Sequence, residues 1–246
     1  MIEAGQRKKR KKRVEMKSFL SAGILVIALA TAGLLTSMTS TAETAVAASA
    51  PHHLSVATVS DNSNIAKQYG FRAAMRELWE DHVVWTRQVI VAIVAGTPDT
   101  DAALTRLLRN QADIGNAIKP FYGDAAGDQL TTLLREHIVI AGTLLTTAKS
   151  GDTDAFAAAK TEWYRNGDDI AHFLASANPH WPLADMQAAM TAHLDTTLAE
   201  AVARLTGDWN ADVVAYDAVH QHILHMADAL SDGIIAQFPA AFARSN

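Results

Sequence analysis

The 246-residue chain predicts an all-α fold of six main helices, arranged as three tandem helical hairpins, and three observations predict it. A 55–56-residue pattern recurs through residues 66–240, with glycines where helices would end. No regular alternation of apolar and polar residues suggests strands, and only six prolines interrupt the chain. Cysteine is absent, so stability comes from helix packing, and thiolate ligands and thiol nucleophiles are excluded.

The first 47 residues read as an export signal: RKKRKKR at 7–13, an apolar run from Phe19 to Leu35, then small residues ending in an Ala45-Val46-Ala47 cleavage site, with Ser40-Thr41-Ala42 as a second option. Met16 is an alternative start, and an uncleaved signal anchor is the alternative fate of the apolar run. The expected location is secreted or extracytoplasmic, membrane-anchored if the signal stays. Residues 1–47 hold eight of the 21 Lys and Arg and three of the 26 acids, which leaves 13 basic against 23 acidic, a net of −10. Such a surface repels nucleic acid and anionic lipid and favours cations, so neither nucleic acid nor a membrane beyond the signal is expected as a partner. Residues 48–65 read as a linker, and 66–240 as the repeat domain.

Three segments align: EDHVVWTRQVIVAIVAG at 80–96, REHIVIAGTLLTTAKSG at 135–151 and TAHLDTTLAEAVARLTG at 191–207. Each has its histidine (His82, His137, His193) fourteen residues before its glycine (Gly96, Gly151, Gly207). Asp-rich openings follow, suited to helix N-termini. A second set then lines up: NQADIGNAI at 110–118, NGDDIAHFL at 166–174 and HILHMADAL at 222–230. Helices are expected at 66–95, with a break near Gly70, then 100–119, 126–149, 153–176, 183–206 and 210–236. The breaks between hairpins fall at KPFYGDAAG and NPHWPLA, where Pro and Gly stop helices. One hairpin cannot bury its apolar face alone, so the three form either a closed bundle or a short solenoid.

Counting ~21 Å of helix on each side of the turn brings each histidine level with Asn110, Asn166 or His222 across its hairpin. Residues three further on share that face: Asp113, Asp169 and His225, then Asn116, His172 and Asp228. The third hairpin thus offers His193, His222, His225 and Asp228, with His220 near. The second offers His137, Asp169 and His172 beside Glu136, and the first His82 and Asp113 beside Asp81. Imidazoles with a carboxylate in reach suit a divalent transition metal, zinc, copper or iron. A closed bundle gives a sharper alternative, in which His82, His137 and His193 converge on a pseudo-threefold axis. A plainer reading has the same side chains satisfying one another as buried hydrogen bonds. His52 and His53, beside a new N-terminus, suit amino-terminal copper or nickel. The five tryptophans, Trp79, Trp85, Trp163, Trp181 and Trp209, read as core.

The stretch NQADIGNAIKPFYGDAAGDQLTTLLREHI (110–138), with LWEDHVVWTR (78–87), resembles a family of uncharacterised bacterial helical-bundle proteins in which DIGNAIKPFYG and EHI segments recur. The resemblance covers about half the mature chain. It implies helices, names no activity, and places Asn110, Asp113, Asn116, Tyr122, Gly123 and His137 in a shared motif.

No phosphate-cradling glycine loop, G-x-S-x-G elbow or H-E-x-x-H motif is present. The expectation is an exported helical protein that binds or stores a divalent transition metal. Two rivals stand beside it. A metal-dependent hydrolase or oxidase would need an open position near His193, with Asp228 or Glu200 as base. A structural or interaction module of the envelope would need no metal.

Overall fold

The computed structural model describes the backbone of residues 57–243 and the side chains of residues 64–243. The export signal, its cleavage sites, Met16, His52 and His53 lie outside the described residues. The chain divides into two units, Met1–Asn62 and Ser63–Asn246, and the helical bundle belongs to the second.

Seven helices and no strand make up the described residues: α1 Ala57–Ala95, α2 Thr100–Tyr122, α3 Asp124–Ser150, α4 Thr153–Ala177, α5 Leu183–Thr206, α6 Trp209–Gln237 and the short α7 Pro239–Phe242. Five of the six expected helices match within three residues at either end. The exception is α1, which begins at Ala57, inside the stretch read as linker. No proline and no glycine stands between Ala57 and Tyr69 to stop it. Nor does α1 break at Gly70, where a Cβ would meet nothing within 4 Å. A glycine on an open helix face costs about 1 kcal/mol relative to alanine, too little to end a long helix.

The turns follow their residues. Gly96, Gly151 and Gly207 have φ of 71°, 79° and 71°, a left-handed conformation that glycine adopts without strain, and each ends a helix. Asp152 and Asp208 then cap the next helices, accepting from the N–H of Ala155 at 3.0 Å and of Ala211 at 3.1 Å. Pro120 sits in the last turn of α2, and Gly123 alone separates α2 from α3.

The helices form a closed bundle. From α2 to α6, each helix packs on the next. Helix α1 meets α2 where Asn110 Nδ2 donates to the Leu78 carbonyl at 2.9 Å. It meets α6 through Arg76 and Asp228, a two-bonded pair at 2.7 Å, and through Arg72 and Asp232 at 2.7 Å. It meets α5 through Arg87 and Glu200 at 2.7 Å. Helices α2 and α3 approach so closely that a Cβ on Gly115 would stand 2.5 Å from the Gly127 carbonyl oxygen.

The core runs the length of the bundle, through Met75, Trp79, Val83, Ile114, Leu134, Ile170, Leu194, Ile223 and Ile234, all buried. Each fully buried aliphatic side chain of this kind contributes roughly 1.5–3 kcal/mol relative to exposure. At the end away from the Gly96, Gly151 and Gly207 turns, Tyr122 joins three helices. Asn178 Nδ2 donates to its hydroxyl at 2.9 Å, the hydroxyl donates to Gln237 Oε1 at 2.8 Å, and Gln237 Nε2 donates to the Ala177 carbonyl at 3.2 Å.

Candidate functional site

Midway along this apolar core lies a layer of polar side chains. His82, Asn110, Gln111, His137, Asn166 and His193 are each at most 4% exposed. The three histidines come from α1, α3 and α5, and the His193 ring lies against the other two. His193 lies 5.6 Å from His82 and 6.1 Å from His137, centroid to centroid, and its outer side faces His222 at 6.3 Å. Trp79 packs edge-on against His82 at 5.7 Å, and the Trp163 ring lies against His137 at 5.2 Å, tilted by 30°.

The hydrogen bonds fix which ring nitrogen carries the proton. His137 Nδ1 stands 2.9 Å from Asn166 Oδ1, while Asn166 Nδ2 donates to the Leu133 carbonyl at 3.2 Å. An amide oxygen only accepts, so His137 is protonated at Nδ1 and bears its lone pair on Nε2. His82 Nδ1 likewise faces Gln111 Oε1, at 3.3 Å, and Gln111 Nε2 donates to the Leu107 carbonyl at 2.8 Å. His222 donates from Nε2 to the Ala189 carbonyl at 2.9 Å, which leaves its lone pair on Nδ1. His193 differs: its buried Nδ1 has no hydrogen-bond partner.

Burial keeps these imidazoles neutral. It pushes His82 down to about 3 and His137 to about 4, the first helped by its neighbour His137. Burial also takes His193 well below the ordinary value, with smaller contributions from His82, His137 and His222, and lowers half-buried His222.

Of the nine residues expected as ligands, His82, His137, His193 and His222 come together here, and the other five do not join them. Asp228 is held by Arg76, whose guanidinium keeps its carboxyl below the usual range. Asp169 pairs with Arg165 at 2.5 Å, and His172 faces Asp168 at 3.6 Å on the outer side of α4. His225 is exposed, and Asp113 is half-buried on α2. His220 pairs with Glu80 across the α1–α6 boundary at 3.0 Å. The steps of three that put these residues on one stripe turn each successive one further from the axis. Among the described residues, no three His, Asp or Glu side chains stand as a ready-made metal cage.

Two features of the site escape the sequence alignment. Gln111, rather than Asn110, meets His82, because it stands 29 residues after it, as Asn166 and His222 stand after theirs. Asn110 keeps the other half of the task, the bond to a backbone carbonyl four residues before the histidine. The second feature is a buried ionic cluster nearer the Gly207 turn. Arg87 Nη1 donates to Glu200 Oε1 at 2.7 Å and to Asp212 Oδ1 at 3.0 Å, and Arg204 reaches Asp212 Oδ2 at 3.1 Å. Arg87 also lies over the Tyr216 ring at 4.6 Å. Burial pushes Glu200 up to about 7 against the pull of Arg87. His193, Thr197 and Glu200 fall at i, i+4 and i+7, so the helical period alone places Glu200 on the buried face. Both carboxylates expected as catalytic bases, Glu200 and Asp228, are therefore held by arginines.

No family model, curated protein or solved structure matches this chain in comparison, so the likeness of residues 110–138 to a bacterial helical-bundle family gains no further support.

Proposed function

We propose that the protein binds a transition metal ion in the histidine layer, with His82, His137 and His193 as principal donors and His222 beside them, and that its role is binding or storage rather than turnover. The observation that carries this is the packing of the His193 ring against those of His82 and His137, all three neutral and two of them with an unprotonated nitrogen set by an amide partner. A ligating histidine needs such a partner: the bond at one nitrogen fixes the ring and leaves the other free for the metal. The acidic surface expected of the mature chain favours cation approach.

Charge decides between metals. The layer supplies no carboxylate, since Glu200, Asp212 and Asp228 are paired with arginines. A dication would sit there uncompensated, and the cost of burying an ion rises with the square of its charge. Monovalent copper costs about a quarter as much by that scaling, and imidazole is a good copper ligand. Copper(I) therefore leads zinc and iron.

A second reading rests on its own observation: His82 and His137 already have hydrogen-bond partners inside the core. On that reading the layer is a polar register device in an envelope module. The experiment is elemental analysis of the protein purified without a His tag, after incubation with copper under reducing conditions or with zinc, beside a His137→Gln, His193→Gln variant checked for helix content. About one copper per folded chain, lost in the variant, supports the proposal. No metal in the parent, or equal metal in both, overturns it; the first outcome leaves the register device, and the second places the metal elsewhere.

A further inference from the structure

The three histidines of the layer are backed by residues of unequal exposure. Gln111 and Asn166, behind His82 and His137, are 0% and 1% exposed, and buried Trp79 and Trp163 pack on the same two rings. The residue in the corresponding place behind His193 is His222, which is only half-buried. Its ring lies 6.3 Å from that of His193, so a single imidazole joins solvent to the core.

Little covers His222. On its own helix, Ala218 one turn before it and His225 three residues after it are both exposed. On α5 it donates from Nε2 to the carbonyl of Ala189, a half-buried residue whose methyl group is too small to form a lid. That bond leaves a lone pair on His222 Nδ1, and beyond it His193 Nδ1 has no hydrogen-bond partner. An ion cannot enter an apolar core bare, because its desolvation cost is too large, so it must exchange one ligand for the next. An imidazole lone pair at the boundary supplies the intermediate ligand. With the His222 proton already held at Nε2, an ion binding at Nδ1 displaces none.

We infer that His222 is the port of the histidine layer: copper(I) binds it from solvent, with exposed His225 as the outer contact, and passes to His193. The inference rests on the layer being a copper(I) site and adds the route by which that site fills and empties. Copper stays monovalent throughout, exchanging solvent ligands for imidazole nitrogens, and His222 transfers the ion rather than holding it at rest.

The test mixes the full metal-free chain, under reducing conditions, with copper(I) held in dilute acetonitrile. Quenching of tryptophan fluorescence reports arrival, because Trp79 and Trp163 lie against His82 and His137. Release is timed into excess bicinchoninate. His222→Asn keeps an amide donor for the Ala189 carbonyl, as Asn166 serves Leu133, and removes the imidazole. His222→Met supplies a soft thioether in its place. Loading and release should both slow at least about tenfold in His222→Asn, with affinity and stoichiometry within about threefold of the parent. His222→Met, accepted only if its thermal unfolding stays cooperative, should load within about threefold of the parent rate. Unchanged loading in His222→Asn would overturn the inference. So would faster release with weakened affinity, which makes His222 a resident donor, or a folded His222→Met as slow as His222→Asn. A parent that takes up no copper removes the metal reading of the layer and the port with it; that failure shows in the stoichiometry, whereas failure of the port alone shows in the rates.

Discussion

The α3–α4 and α5–α6 pairs place a histidine at the same depth in the bundle and support it differently. In α3–α4, one amide does two jobs: Asn166 accepts from His137 and donates to the Leu133 carbonyl. In α5–α6, His222 stands where Asn166 would. It keeps the carbonyl bond, to Ala189, but a neutral imidazole has one donor and one acceptor on opposite sides of a rigid ring, so His193 Nδ1 is left alone. The α1–α2 pair divides the two jobs between neighbours, Gln111 for the histidine and Asn110 for the carbonyl. The carbonyl bond is common to all three pairs, while the bond to the histidine depends on having an amide in reach. The α5–α6 pair also buries charge, Glu200 and Asp212, where α3–α4 buries only neutral polar groups at its core.

That last difference sets the largest expected effect. Arg87→Met strips a partner from two carboxylates that are 1% and 2% exposed, and breaking a buried ion pair from one side costs about 3–5 kcal/mol. Denaturant unfolding measures it, and a loss below about 1 kcal/mol would mean that water reaches the cluster.

The next effect is on pH dependence. In the folded state His82 and His137 titrate at about 3 and 4, below the ordinary value near 6.5 that the unfolded chain keeps. Between those values the unfolded state binds more protons, so stability is complete above about pH 6.5 and falls as pH falls, by roughly 2 kcal/mol per histidine at pH 5. Glu200, pushed up to about 7, binds its proton first in the folded state and works in the opposite direction over the same window. The difference between variants isolates the histidine: His137→Gln, which does not titrate, should flatten the loss between pH 7 and pH 5 by about 2 kcal/mol. An unchanged slope would mean that His137 takes up its proton in the folded state.

The smallest effect sharpens the comparison most. His222→Asn restores at α5–α6 the amide found at α3–α4 and gives His193 Nδ1 an acceptor, a gain of about 1 kcal/mol. Stability equal to the parent or lower would show that His193 and His222 already support each other by a route other than a direct hydrogen bond.

Much of the fold was legible because its signals are local. Glycines at helix ends, aspartates at helix starts and proline at the breaks each act within a turn, and five helices lie within three residues of expectation. The start of α1 was missed because polar, small residues read as linker, although nothing among them stops a helix. The meeting of His82, His137 and His193 was legible as one of two arrangements, since equivalent positions can converge only if the bundle closes. What closes it, Arg76 with Asp228 and Arg87 with Glu200, pairs residues more than a hundred positions apart, and no local pattern links them. The same pairs turned two expected metal or catalytic carboxylates into partners of arginine. Gln111 was missed for a simpler reason. The alignment followed the Asn110 and Asn166 side chains, whereas counting from the histidine would have landed on Gln111, whose extra methylene gives it the reach.

Long-range nitrogen–proton correlation NMR on the metal-free protein reads the protonated nitrogen of each imidazole in the layer. His82 and His137 are expected to carry their protons on Nδ1 and His222 its own on Nε2, and none of the signals from His82, His137 or His193 is expected to titrate between pH 7 and pH 5. Protonation of His82 and His137 at Nε2, or titration of either near pH 6.5, would contradict this and remove the basis for metal binding at the centre of the bundle.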